Sequence, residues 1–160
     1  MMRKSVIAGT AGAAASTEDD WMDLEQVARV EISSEDANFP IEHALGKAST
    51  TGWRAAETGP QVIRLHFDAA QAIRRIQVHF VDGAAERSQE FAIYAGSGAE
   101  LKEVVRQQWS FSPGGSTEEK EYYTVNLSGV TVLELRIDPD RSHDPKQSRS
   151  YASLQSLRLA

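Results

Sequence analysis

From about residue 29 onward the apolar residues of this chain recur at every second position, and that alternation limits what the chain can build. Val30 and Ile32 alternate with Arg29 and Glu31, and Ile63, Leu65 and Phe67 with Val62, Arg64 and His66. Ile76, Val78 and Phe80 alternate in the same way with Arg75, Gln77 and His79. Phe91 and Ile93 follow, then Val105 and Trp109, then Tyr123, Val125 and Leu127. Leu133, Leu135 and Ile137 come next, and Leu154, Leu157 and Leu159 close the chain. A period of two sends successive side chains to opposite faces of a strand, so each segment has one face to bury. Eight such segments predict an all-β protein, with two antiparallel sheets packed face to face as a sandwich.

One stretch departs from this period. Thr17 with Asp20 three residues later resembles a capping box, and Glu18, Asp19 and Asp20 suit the positive end of a helix dipole. Trp21, Leu24 and Ala28 then share a helical face, which predicts a short helix over 17–28 plugging one end of the sandwich. The turns are marked by Gly96-Ser97-Gly98, by Ser112-Pro113-Gly114-Gly115, and by Ser128-Gly129, which is read as a hairpin. Two connections are long, 33–59 and 138–149, and long loops on a rigid sandwich are where binding groups usually sit. No internal repeat or linker divides the chain, so 17–160 is read as one domain, with the sandwich over 29–160.

Residues 1–16 are read as a flexible leader. Arg3 and Lys4 precede a run to Ala15 that holds only Val6 and Ile7 as strong apolar residues, a poor core for an export signal. A cytoplasmic location is therefore expected, with secretion as the alternative. No segment approaches the roughly 20 apolar residues of a membrane helix. The formal charge of −6 disfavours binding to nucleic acid or to anionic lipid, both of which depend on concentrated Lys and Arg. The absence of cysteine excludes disulfides, thiolate metal sites and cysteine nucleophiles.

The segment Ala44–Arg54, ALGKASTTGWR, resembles the discoidin, or coagulation-factor type C, domains, which are related to the family-32 carbohydrate-binding modules. Ala44, Leu45, Thr51 and Trp53 stand at the spacing of the family's Ala-Leu-Asp-Gly and Thr-x-Trp elements. Gln61–Phe67, Ile73–Phe80, Phe91–Ser97 and Val132–Ile137 are similar to its successive strands. The resemblance spans about 29–160 and implies a galactose-binding-like jelly roll. It also implies a non-catalytic module that binds a neutral glycan through loops at one end of the sandwich. Trp53-Arg54-Ala55-Ala56 is similar as well to the N-terminal domain of a DNA single-strand-break repair scaffold, which implies the alternative of an intracellular protein-interaction adaptor.

Two departures bear on the family's structural calcium. Gly46 and Lys47 stand where Asp and Gly are usual, and Ser156 stands where many members have Glu. A hard cation needs several oxygen ligands, preferably anionic, so no metal is expected here, nor any other cofactor.

The resemblance directs attention to His, Arg and aromatic residues near the loops. The candidate ligand-binding residues are His43, Arg54, Arg87, Phe111, Arg141 and His143. Phe111, which shares a phase with Val105, is read as core or edge packing or, beside the turn at Ser112, as a partly exposed platform, and Glu86-Arg87 as either a ligand group or an exposed ion pair. Trp53 is read as core, and Trp109 as core or edge packing. His66 and His79 are read as surface residues that could meet across strands, and Glu118–Glu121 as a solvated turn. No Gly-x-Ser-x-Gly elbow, phosphate-binding loop or His-Glu-x-x-His occurs, so catalysis is not expected.

Overall fold

The computed structural model describes residues 21–46, 51–142 and 150–160. Eight strands account for most of them: β1 (Ala28–Ile32), β2 (Trp53–Thr58), β3 (Gln61–Val81), β4 (Arg87–Ser97), β5 (Glu100–Phe111), β6 (Glu118–Asp138), β7 (Tyr151–Leu154) and β8 (Ser156–Leu159). Two single-turn helices complete the set, α1 (Leu24–Val27) and α2 (Glu42–Leu45).

The two layers of the sandwich share their central strands. β3 and β6 pair antiparallel along their whole lengths, from Gln61↔Ile137 to Val81↔Glu118. Their register slips between His66 and Arg75, where both strands bend from one layer into the other. The front layer has the order β1-β3-β6-β4-β5 and uses the first half of β3 with the second half of β6. The back layer is built from the other halves, with β8 on β3. The β2–β7 ribbon runs on from β8 through Gln155, whose N–H bonds the His79 carbonyl. Bulges concentrate twist and let one strand turn a corner of this kind.

This bend corrects two sequence readings. Ser128-Gly129 is not a hairpin: β6 continues through it, Gly129 takes the left-handed φ of 66°, and β3 is the partner on both sides. The periodic segments 63–67 and 76–80 are likewise one strand. The N-terminal helix is also shorter than expected. Thr17–Asp20 lie outside the described residues, and helix begins only at Leu24 and ends at Val27. Ala28 is taken into β1 by pairing with Phe67, so the sheet wins over local helix propensity. Trp21 does not share the buried face of Leu24. It lies against Arg75 and Tyr122 on the outside of the back layer.

The core lies between the layers. Ile63, Leu65, Phe91, Ile93, Leu133, Leu135 and Ile137 face inward from the front, and Ile76, Val78, Phe80, Leu157 and Leu159 from the back, all buried. Phe80 and Phe91 meet across the gap with ring centroids 5.1 Å apart. Each such side chain contributes about 1.5–3 kcal/mol on burial, which is why the period-two pattern dictates the fold. Trp53 is buried as expected, and its indole N–H donates to the Ser34 carbonyl at 3.0 Å.

Strand pairing also sorts the connections. The register joins the end of β1 to the start of β3, the end of β6 to the starts of β3 and β4, and the end of β5 to the start of β4. The end of β3 pairs with the start of β6. Segments 33–46, 51–60, 82–86, 112–117 and 139–142 therefore emerge at one end of the sandwich, called here the loop end.

Candidate binding site at the loop end

The loop after β1 is tied down before it reaches any ligand. The Ser33 and Ser34 hydroxyls both donate to Gln61 Oε1, at 2.6 and 2.7 Å. Asp36 and Phe39 bracket a tight turn that zips onto β2. The Asp36 N–H donates to the Arg54 carbonyl and the Arg54 N–H to the Phe39 carbonyl. Phe39 is thereby placed beside Arg54, whose guanidinium carbon lies 5.4 Å from the ring centroid. His43, on α2, pairs its Nδ1 with the Thr51 hydroxyl at 2.7 Å.

Phe39, Arg54 and Thr51 border a shallow depression of about 80 Å³ lined also by Val81, Ser153 and Gln155, with Trp53 and Leu154 beneath. It offers one aromatic face, an exposed guanidinium, two hydroxyls and an amide. Such a set suits a ligand with an apolar face and many hydroxyls. Phe39, Ser153 and Gln155 were not legible as site residues. Phe39 reaches the site only through a turn 15 residues before Arg54, and the other two only through the β2–β7 pairing.

The remaining candidates go elsewhere. Arg87 is neither a ligand group nor an exposed ion pair. It is 4% exposed, and its donors go to Asp82 at 2.7 Å, Gln89 at 2.9 Å and the Pro139 carbonyl at 2.9 Å. It also covers the Phe111 ring, 4.6 Å from its centroid. Phe111 is 1% exposed, so it is core rather than a platform. The pair braces the loop end by tying 82–86 and 139–142 to the core. Asp82 is held below the usual carboxylate range. Its burial opposes this, but the Ala84 N–H and Arg87 outweigh it.

Arg141 is anchored by its N–H to the Ser88 carbonyl, and its guanidinium turns toward Glu90 at 3.8 Å, on the outer face of the front layer. His143 lies outside the described residues. His66 and His79 do not meet: His66 pairs with Glu31 outside the front layer, and His79 with Glu118 outside the back layer. Glu118–Glu121 is the start of β6 rather than a turn, and Glu119 is 1% exposed.

Of the positions compared with the calcium site that the resemblance implies, Gly46 and Ser156 lie among the described residues. Lys47 and Thr50 lie outside the described residues, but the Gly46 carbonyl accepts a hydrogen bond from Arg158 at 3.0 Å, which puts a cationic side chain on one of the loop's oxygens. Ser156 is largely buried. Among the described residues no group of three or more His, Asp or Glu side chains could hold a metal ion.

No protein-family model matches the chain, and neither does any curated protein sequence. Solved structures do match. The family-32 carbohydrate-binding module of AlyQ, determined with 4,5-unsaturated mannuronic acid, superposes with a TM-score of 0.61 at 20% identity, covering 84% of this chain and 95% of that one. The family-32 module of NanJ from C. perfringens, in complex with galactose, gives 0.60 at 13% identity, covering 87% and 96%. Chitosan-binding module 1 of a chitosanase/glucanase from Paenibacillus sp. IK-5 gives 0.57 at 19% identity, covering 87% and 98%. The expected architecture is therefore the observed one: this chain has the galactose-binding-like jelly-roll fold of the family-32 carbohydrate-binding modules.

Proposed function

We propose that the chain is a non-catalytic carbohydrate-binding module that takes a sugar at the loop-end depression. The observation that carries this reading is the Arg54–Phe39 pair, framed by the Thr51 and Ser153 hydroxyls and the Gln155 amide. An aromatic face takes the C–H side of a pyranose, and a guanidinium donates to two neighbouring hydroxyls at once. The depression is shallow, which suits the edge of a terminal residue rather than a chain threaded through a cleft. His43 is the positioning group, since it holds the Thr51 hydroxyl. The solved modules of this fold that were determined with galactose and with an unsaturated mannuronic acid support the ligand class.

The test is calorimetric titration with galactose, lactose and chitobiose, together with a glycan array. At least one neutral sugar should bind, and Arg54→Ala should weaken it tenfold or more while leaving the melting temperature within a few degrees. No signal on the array and none in the titrations would overturn the reading.

A further inference from the structure

The outer face of the front layer is not a plain solvated surface. Its outward residues form cross-strand rows fixed by register, one of which runs Glu31, Arg64, Glu134, Tyr94, Glu103. β4 carries Ala92 and Gly96 on either side of Tyr94, so the sheet is bare there. Two depressions result, of about 420 and 270 Å³, with Arg136 lining both.

The larger one has a distinct chemistry. Its floor is apolar, from Val132 and Leu101, and its wall is cationic, from Arg64 and Arg136. Both arginines pair with Glu134, which is 2% exposed, and Arg64 also reaches Glu31 at 3.5 Å. Glu134 Oε1 accepts from Arg64 Nε at 2.6 Å, and Oε2 accepts from Arg136 Nε. Two guanidinium charges thus face two carboxylates, and because Arg64 divides its donors between Glu134 and Glu31, the donors left to the depression are those of Arg136. Burial opposes ionisation of Glu134, but the hydrogen bonds from Arg136 and Arg64 outweigh it and hold the carboxyl below its ordinary range, so the arrangement persists at neutral pH.

Arg136 is also held still. Its guanidinium lies 3.8 Å from the Tyr94 ring centroid. The Tyr94 hydroxyl accepts from Arg106 at 2.8 Å and donates to Glu103 at 3.3 Å. Only the Arg136 Nε is used internally among the described residues, which leaves its terminal amino groups directed outward on a side chain 48% exposed. A guanidinium stacked and pinned in this way loses little entropy on gripping a planar anion.

We propose that this depression is a second binding site, for a carboxylate-bearing sugar residue, with Arg136 holding the carboxylate and the Val132–Leu101 floor taking the ring. It rests on the carbohydrate reading above and adds a subsite of different charge preference on a different face. Bidentate pairing of guanidinium with carboxylate supplies the selectivity. The overall negative charge repels anions at long range, so the attraction is local and depends on the fork.

The test is amide NMR titration of the intact chain with trigalacturonate, with its fully methyl-esterified form, and with galactose, lactose and chitobiose. Trigalacturonate should shift Val132, Gly98 and Leu101. Esterification, which removes charge but keeps the rings, should weaken that response at least tenfold. Arg136→Gln should abolish it, Arg136→Lys should restore only part, and Arg54→Ala should leave it intact. Shifts confined to Phe39, Thr51 and Arg54, or equal responses to acid and ester, would overturn the proposal. Galactose, lactose and chitobiose report separately on the loop end: silence there from all three, with a response at Val132, defeats the loop-end site and spares this one.

Discussion

Glu119 makes the fold sensitive to pH in an unusual direction. It begins β6 with its side chain turned into the sandwich, where it is 1% exposed. Gln89 donates to its Oε1 at 3.4 Å, and Glu121 lies next to it on the same face. Burial disfavours the charged form, and hydrogen bonding and repulsion from Glu121 add to this, so the carboxyl is pushed from 4.5 up to about 8. A raised carboxyl pKa means that the native state holds a proton the unfolded chain releases. The stabilising effect is complete below about pH 4.5 and is lost progressively as pH rises to about 8. At about 1.36 kcal/mol per pKa unit, the loss across that window is about 3–5 kcal/mol. Glu119→Gln keeps the shape, the acceptor for Gln89 and a donor for Glu121, and carries no charge. Urea unfolding of both proteins at pH 5, 7 and 9 measures the difference. The two should be within about 1 kcal/mol at pH 5, and the variant should be more stable by about 3 kcal/mol or more at pH 9. A difference that stays constant across this range would refute the reasoning.

Arg87→Met retains cover over Phe111 but leaves Asp82 without its buried partner, and should cost about 3 kcal/mol in a urea titration. Because Asp82 is held low by Arg87 among others, its stabilisation is present above about pH 4 in the native protein and fades on acidification, and that acid dependence should shrink in the variant. A Cβ on Gly96 would come 2.0 Å from the Glu100 carbonyl, so Gly96→Ala should splay the β4–β5 hairpin and lower the melting temperature by several degrees. Thermal melts with excess calcium and with chelator should coincide. An upward shift with calcium, reversed by chelator, would show that Gly46, Ser156 and Arg158 have been misread.

The sandwich was legible because one rule, alternation of apolar side chains, operates residue by residue along each strand. Trp53 could be placed in the core on different grounds, because the Thr-x-Trp element it resembles usually turns its Trp into the sandwich. The bend that merges segments 63–67 and 76–80 into β3 was not legible, since the apolar alternation lapses after Phe67 and only pairing with β6 shows the strand passing through. The site was harder still. Arg87 in sequence is an arginine beside a loop, like Arg54. One is consumed by Asp82, Gln89 and Pro139 and the other is free to face solvent, a difference set by contacts up to 52 residues away. Glu134 was invisible as a shared counterion because its partner Arg64 is 70 residues distant.

The passage of β3 and β6 through both layers has a consequence for how the chain reaches its native state. Neither sheet can form first as an independent unit, because each needs half of the same two strands, and those halves meet partners far along the chain. Contacts such as Gln61 with Ile137 and Arg64 with Glu134 close long loops before they are rewarded by burial. Folding should therefore be slow for a domain of this size, in the milliseconds-to-seconds range of high-contact-order β proteins. It should also be all-or-none, so that cutting the chain at the bend would yield two pieces with no stable sheet in either.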